Sequence, residues 1–528
     1  MTVGMTDARA GGGSEPSLGI STVVGRGFSF RLGSQCLSAL INVAGMVVLG
    51  NYLAAEGYGE YAFYYALVPL IASLSDLGVG VIITREVARD KELGARYLGD
   101  ALIIKGVTGA ALLAVVLVTA PLVLAPAAAL LVCLVAATAI IDYSQDVGMW
   151  TFRAHDRQDL EALLLMVSQS IWLSGVLLCA WLKAPLPLLL ASATTAFAIR
   201  LAVGAWLVSR RVYRPRFAPD WARLRGLIAE GLPFGLAMFL VVLYGRAGVL
   251  LLKGLAGDAD VGYFNVGYML SQPLGFISSA FNISAFPSLA RAAQRGADAV
   301  RPTLRRAVKF QFLIAFPLTV GLVLLAERLI PLLFHGGGFR QSAIALKVIG
   351  FGLVLIFLNL MSRYVLAALN EQRAYLRAII TGLVVNVGTS AVLIPSIGFM
   401  GACVGLLAGE LAVLLGCQLT LRRYLAFGDL LREAWRPLLA ALGMGAVVFL
   451  LRPVHVFLLP VLGAIVYAAL LLVVRALSAD ELDILRRVYV SFRLPGSAHL
   501  ARRRGPTLES VHPAPAAVAR GVIPSEEA

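Results

Sequence analysis

Three observations predict an all-α polytopic membrane protein of about fourteen transmembrane helices. Apolar runs of about 20 residues, the length a helix needs to cross the hydrocarbon core, recur along the whole chain. The 528 residues are 59% hydrophobic and only 14% charged. The lysines and arginines fall almost entirely into alternate loops.

The spans are expected near residues 30–51, 58–83, 99–121, 126–150, 161–182, 186–208, 229–253, 261–287, 308–326, 341–368, 376–395, 400–421, 434–452 and 455–474. Loops after even-numbered spans are basic, for example "REVARDKELGAR" and "RRVYRPRFAPDWARLR". Loops after odd-numbered spans, such as "AAEGYGE" and "AGDAD", are not. Of 45 lysines and arginines, thirty-five lie on the basic side, tails included. Six lie at or near the other: Lys183, Lys253, Arg328, Arg340, Lys347 and Arg452. Four remain inside spans: Arg31, Arg200, Arg246 and Arg363. The basic side is expected to be cytoplasmic, with both termini on it. The formal net charge of +15 then follows from topology and calls for no nucleic-acid partner.

No loop is long enough for a folded domain. The five cysteines are dispersed and odd in number, with no C-x-x-C, and the histidines lack metal-ligand spacing. Neither a disulfide framework nor a metal or cofactor site is expected. Residues 1–27 lack the basic-then-apolar form of a cleaved signal and read as a disordered cytoplasmic tail. The C-terminal tail, 477–528, opens with a capping box at Ser478–Glu481 and a short helix, then loses pattern. Its cluster Arg502–Arg504 suits anionic headgroups, or belongs to a plain tail.

Two halves resemble one another. "GYGEYAFYYALVPL" pairs with "DVGYFNVGYMLSQPL", and "FRAHDRQ" with "LAALNEQ", about 200 to 215 residues apart. This divides the chain into six-helix lobes at 28–210 and 229–423, an inter-lobe cytoplasmic linker at 211–228, and two further helices within 434–476. Six spans is an even number, so the lobes share one orientation, with any substrate path between them.

Polar stripes mark the cavity side of several spans. Arg31, Gln35, Ser38 and Asn42 share one face of span 1. Asp142, Asp146, Met149 and Arg153 repeat the spacing on span 4. Span 8 carries Tyr268, Gln272, Gly275, Ser279 and Asn282; span 10 carries Asn359, Arg363 and Asn370. Arg246 and Lys253 share a face of span 7. Lipid offers no hydrogen-bond partner, so these groups face protein or water. Helix–helix contact accounts for the serines, asparagines and glutamines as well as a cavity does. An arginine near mid-membrane is costlier, about 2.5–3.5 kcal/mol on insertion scales. Anchoring near the cytoplasmic end competes for Arg31. The four arginines together read as a ladder of cations across the membrane.

The intramembrane acids are Asp76, Asp142, Asp146 and Glu410. Asp142 and Asp146 are expected near the cytoplasmic mouth, paired with Arg153 or Arg31 and serving gating or structure, as is Asp76. No carboxylate lies within ten residues of Arg246 in either direction. An unpaired cation at depth suits a water-filled cavity that receives an anion.

Roughly residues 25–475 resemble the polysaccharide-export flippases of the multidrug/oligosaccharidyl-lipid/polysaccharide (MOP) superfamily. The stretches that carry the resemblance are "LAAEGYGEYAFYYALVPLIASLSDLGVGVIITREVAR", "LPFGLAMFLVVLYGRAGVLLLKGLAGDADVGYFNVGYMLSQPL" and the "IPxxGxxGA" pattern in "LIPSIGFMGACVG". The resemblance implies a two-lobed bundle in a bacterial cytoplasmic membrane that moves undecaprenyl-diphosphate-linked oligosaccharide outward by alternating access. It implies lipid-diphosphate-linked glycan, membrane lipid and polysaccharide polymerase machinery as partners. Arg31, Gln35, Asn42, Arg200, Arg246, Lys253, Gln272 and Arg363 are the expected substrate-binding set. Family members often carry an acid two residues after the span-7 arginine; here that position is Gly248.

A lipid II flippase remains open within the same class. A multidrug or cation antiporter of the same fold needs intramembrane carboxylates where spans 1 and 7 carry arginines, and the two extra spans fit it poorly. A membrane glycosyltransferase or polymerase would carry acidic motifs in sizeable loops, and none is present, so an enzyme is not expected.

Overall fold

The computed structural model describes residues 18–477, apart from 156, 336–337 and 452–453; side chains are described from residue 33, those of 88, 154 and 158 excepted. The tail up to residue 17, the side chain of Arg31, Arg452, the capping box at Ser478–Glu481 and the Arg502–Arg504 cluster lie outside the described residues. Fifteen α-helices fill most of the described chain: α1 Leu18–Asp76, α2 Val79–Arg89, α3 Gly94–Val123, α4 Pro126–Ala154, α5 Gln158–Trp181, α6 Leu186–Arg211, α7 Trp221–Leu255, α8 Asp258–Arg295, α9 Ala297–Leu333, α10 Ser342–Phe351, α11 Leu353–Ala368, α12 Gln372–Ile397, α13 Phe399–Leu421, α14 Phe427–Leu450 and α15 Leu459–Val473.

Ten of these helices are long and apolar enough to cross a membrane, and α10 with α11 makes an eleventh. The 59 residues of α1 are too many for one crossing. Ala54, at φ 56° and ψ −175°, breaks it into two arms, each long enough to cross a bilayer. The 38-residue α8 carries asparagines, two glutamines, serines and two prolines, so its polarity keeps it outside the apolar set. With α15 the passes reach the expected fourteen.

Three boundaries differ from expectation. Helix α1 begins at Leu18, inside the segment read as a tail, because "LGISTVVGRGF" contains no helix-breaking proline. Span 2 is not continuous: Leu77 and Gly78 take positive φ, and α2 starts afresh at Val79. The cause is packing. A Cβ on Gly78 would sit 2.2 Å from the Gly231 carbonyl oxygen and 2.4 Å from the Gly235 nitrogen of α7. Span 10 bends by 47° between α10 and α11. There the Leu407 side chain occupies the place of a Cβ on Gly352, 2.3 Å away.

The repeat becomes concrete at a spacing of 203 residues. Ala54 breaks α1 where Gly257, at φ 108°, separates α7 from α8. Five residues on, Gly59 and Gly262 meet: a Cβ on Gly59 would lie 1.7 Å from the Asp258 carbonyl oxygen, and one on Gly262 would lie 2.3 Å from that of Ala55. Tyr61 stacks on Tyr65 at 5.7 Å, and Phe264 on Tyr268 at 5.8 Å, both at 12°. The second arm of α1 and the start of α8 are thus equivalent segments that cross backbone to backbone.

Hydrogen bonds reinforce that end of the bundle. Asn51 donates to the Leu333 carbonyl at 2.8 Å and accepts from the His335 amide at 2.9 Å. Tyr52 donates to the Ala184 carbonyl. Asp260 accepts from the Phe399 amide at the start of α13 at 2.6 Å.

Gly59→Ala is expected to lower the melting temperature of the purified protein by several degrees, since backbone must move to admit one methyl group. Gly106→Ala on α3, where nothing lies within 4 Å, is expected to leave it unchanged or slightly raised. Equal midpoints for the two variants, measured by differential scanning fluorimetry, would show that the crossing is not a tight contact.

Candidate functional site

A cavity of about 400 Å³ lies between the two arms of α1, α5, α7 and α8. Its chemistry is divided. Arg246 of α7, Asn42 of α1 and Asn265 and Gln272 of α8 supply polar groups. Tyr58, Tyr61, Tyr65, Tyr268 and Trp172 supply aromatic wall. Leu49, Tyr58 and Tyr61 are almost fully buried, and Asn265 donates to the Tyr58 hydroxyl at 2.9 Å. Asn42, Gln272 and Phe276 are exposed. The cavity is therefore sealed toward the Gly59–Gly262 crossing and open in the direction of the basic loops.

Arg246 is half-buried, and among the described residues it forms no ion pair. Gly248, where an acid was looked for, is covered by Phe264: a Cβ there would lie 2.8 Å from its ring. Neither Gln35, Arg200, Lys253 nor Arg363 lines this cavity. Lys253 is not free but bound to Asp258 at 2.6 Å, since α7 ends two residues after it and α8 opens with that aspartate. Arg363 is exposed, with its guanidinium 5.6 Å from the Tyr364 ring. Arg200, Arg246 and Arg363 do not form one ladder.

Arg200 belongs to a second constellation, inside the first half of the chain. Lys105 of α3 is 3% exposed. Its ammonium donates to the Tyr143 carbonyl, lies 3.7 Å from Asp76 and sits over the Tyr143 and Trp150 rings. Asp142 and Asp146 of α4 lie within the electrostatic reach of Lys105 and Arg200, and Gln145 donates to Asp142. The Arg200 Nε has no hydrogen-bond partner. Three acids and two bases thus share the interior of one half; none of them lines the central cavity, though Asp142 lies within electrostatic reach of Tyr65 in its wall. Arg153, expected to pair with Asp142 or Asp146, instead holds Glu161 at 3.0 and 3.1 Å, because the turn after α4 brings α5 back beside it.

Two features were missed in the sequence. Lys105 had been grouped with the basic side, although it stands inside the apolar run "ALIIKGVTGA". The aromatic wall was present as Tyr58, Tyr61 and Tyr65, one helical face, but without Trp172, which nothing in the sequence connects to it. In the second half, Glu410 of α13 is 9% exposed and accepts from Asn359 of α11 at 2.7 Å.

A family model described as "Polysaccharide biosynthesis protein" matches residues 24–293, just over half of the chain. The chain belongs to the polysaccharide biosynthesis protein family. A second model, described as "Lipid II flippase MurJ", matches residues 256–473. No curated protein matches by sequence. Among solved structures, the chain is similar to one described as "Lipid II flippase MurJ, inward closed conformation", at a TM-score of 0.71 and 12% identity, covering 84% of this chain and 97% of that one. It is also similar to an inward-facing multidrug resistance MATE family transporter of the MOP superfamily, at 0.59 and 17%, covering 77% and 98%. A MOP superfamily transporter from Pyrococcus furiosus gives 0.54 and 16%, covering 77% and 95%. The chain shares the fold of these transporters.

Lys105→Met would leave Asp76, Asp142 and Asp146 facing Arg200 alone, and breaking a buried pair in this way costs about 3–5 kcal/mol. The expected result is reduced abundance in the membrane and a lowered melting temperature, partly restored by adding Asp76→Asn. An unchanged midpoint for the single variant would mean that the lysine does not hold these acids together.

Proposed function

We propose that the protein is a flippase that carries a lipid-diphosphate-linked oligosaccharide, on an undecaprenyl anchor, from the cytoplasmic to the outer leaflet for cell-surface polysaccharide synthesis. Family membership favours transport over bond chemistry. The observation that carries the substrate class is Arg246: a cation in the wall of a membrane-embedded cavity, with no carboxylate to neutralise it. An arginine fork matches phosphate oxygens, and a diphosphate supplies about two negative charges. Moving them outward across an interior-negative membrane gains roughly 4–5 kcal/mol per 100 mV, at about 2.3 kcal/mol per charge. The seal at the Gly59–Gly262 crossing and the opening toward the basic loops suit the loading stage of alternating access, with the basic side cytoplasmic.

Of the residues first read as substrate-binding, Asn42, Arg246 and Gln272 stand in the cavity wall and keep that role in this reading. Arg200 goes with Asp76, Asp142 and Asp146 as the interior framework of the first lobe. A lipid II flippase is the second reading, favoured by the MurJ model over 256–473. Both readings place a diphosphate against Arg246. A drug or cation antiporter is disfavoured because the cavity wall carries an arginine and no acid.

Arg246→Ala is expected to abolish polymer export in a flippase-null strain while the protein stays inserted, since removing an unpaired intramembrane charge relieves the span. Arg246→Lys is expected to keep part of the activity, because charge survives and the planar fork does not. Full export by the alanine variant at normal abundance would remove Arg246 from the mechanism.

A further inference from the structure

A second cleft, of about 250 Å³, lies in the other half of the chain, between α8, α9 and α11. Its walls grade from polar to apolar. On α9, Arg306 stands two residues before the span expected at 308–326, and Phe310 stands one turn deeper on the same face. On α8, which runs the opposite way, Ser288 follows the span expected at 261–287 and Phe281 lies two turns back. Phe286 of α8 and Met361 and Tyr364 of α11 complete the apolar part. The polar end is therefore the end nearest the basic loops.

The other polar groups of the cleft are already bonded. Asn282 donates to Ser278 at 3.2 Å and accepts from Gln311 at 2.9 Å, and Gln311 accepts from Ser278. Thr303 and Ser288 donate to carbonyls of their own helices. What is left is an apolar trough with one cation at its rim. Arg306 is exposed, and among the described residues it forms no ion pair or hydrogen bond. Its neighbours on α9 are engaged: Arg301 donates to the Tyr424 carbonyl at 3.1 Å, and Arg305 pairs with Glu433.

The repeat shows that the fold does not need this opening. The equivalent place in the first half, between α2, α3 and α4, holds only about 10 Å³. Trp150 stands in it, packed so closely on Gly80 that a Cβ there would lie 2.0 Å from the ring, and Tyr213 from the linker lines its remaining side. The second half has Tyr364, 214 residues after Trp150, and Ile283, 203 residues after Gly80. The smaller Tyr364 ring stands against Phe286 instead, edge-on at 6.3 Å. Protein interiors are close-packed, so a cleft filled in one half and kept open in the other points to an occupant.

We propose that this cleft binds one anionic phospholipid from the leaflet on the basic-loop side, with its phosphate on Arg306 and an acyl chain along Phe281, Phe286, Phe310 and Met361. Basic pockets between helices at this level take anionic headgroups. A free anion gains nothing from the four apolar side chains. A zwitterionic headgroup carries its own cation beside the phosphate and gains less from Arg306. The site shares no residue with the central cavity and does not depend on what that cavity carries.

The test is native mass spectrometry of the detergent-purified protein, offered equal amounts of phosphatidylglycerol and phosphatidylcholine with the same chains. The wild type is expected to retain one phosphatidylglycerol, preferred about fivefold, the discrimination that one basic side chain near anionic lipid gives. Arg306→Gln should remove that preference. Arg295→Gln, a nearby basic residue that does not line the cleft, should leave it intact. Ala285→Phe, which places a ring in the cleft, should lower retention of both lipids. Arg246→Ala should keep the phosphatidylglycerol; its loss there would place the lipid in the central cavity and overturn the proposal. Equal retention of the two lipids by the wild type overturns it, as does a preference that survives Arg306→Gln. Equal losses from Arg295→Gln and Arg306→Gln overturn it too, since the attraction would then be that of a diffuse basic surface. So does full retention in Ala285→Phe, which would seat the lipid elsewhere. If Ala285→Phe fails to fold, the variants at Arg306 and Arg295 decide, because both side chains are exposed.

Discussion

The backbone crossing of α1 and α8 at Gly59 and Gly262 is the contact on which the rest of the arrangement depends. Between lipid-facing helices there is no hydrophobic drive to associate, since the bilayer is as apolar as leucine; close packing and hydrogen bonds take its place. Glycines allow the two backbones to approach to a distance that no side chain tolerates. That approach seals one end of the cavity and lets Asn265 of α8 reach Tyr58 of α1. A comparable contact joins Gly78 to Gly231 and Gly235, where α1 gives way to α2 against α7. The two halves of the chain thus touch through small residues at two levels of α1 and α2. Such contacts part without leaving side chains unpacked, which suits the alternate opening proposed above.

Intramembrane charge is handled in two ways. Within the first half, Asp76, Asp142 and Asp146 share an interior with Lys105 and Arg200, and the Lys105 ammonium also lies over two aromatic rings. Those charges oppose one another across α1, α3, α4 and α6, with the Lys105–Asp76 pair at 3.7 Å as the direct contact. Asp100 and Arg223 do the same across α3 and α7, through a two-pronged pair at 2.6 and 2.9 Å. Arg246 is treated differently: it stands in a cavity wall and has no acid. Residue type alone does not separate the two classes, because Arg200 and Arg246 are both arginines inside apolar helices. The acids within electrostatic reach on another helix do, Asp142 and Asp146 of α4 in the case of Arg200.

That distinction explains what was legible in the sequence. Helix number and the one-sidedness of the basic loops follow from local composition, and so fourteen passes were readable. The repeat was readable because its landmarks are short motifs. Arg246 and Gln272 were found because each breaks an apolar run. Partners were not readable: Lys105 with Asp76, Arg153 with Glu161 and Lys253 with Asp258 depend on how helices pack or where one ends. The breaks at Gly78 and Gly352 were missed for the same reason, since the atoms that force them, on α7 and at Leu407, are far away in sequence. A lysine inside "ALIIKGVTGA" was the one overlooked signal that needed no packing information.

The repeat also shows where packing ends and recognition begins. At a spacing of 203 residues the structural positions keep their character: Ala54 with Gly257 at the break, Gly59 with Gly262 at the crossing, Gly45 with Gly248 under an aromatic ring, Tyr65 with Tyr268 in a stack. The polar groups of the cavity do not keep it. Arg246 stands where the first half has Val43, Asn265 where it has Ala62, and Gln272 where it has Pro69; Asn42 faces Gly245. Fold requirements act on both halves alike, so a property the fold needs should appear twice. Polar groups that appear once, each opposite an apolar or unsubstituted equivalent, answer to something that itself has no two-fold symmetry. The substrate proposed above, a lipid-linked glycan, is such a thing, with its charge at one end. The two-fold frame builds the cavity, and its departures from symmetry give the cavity a direction.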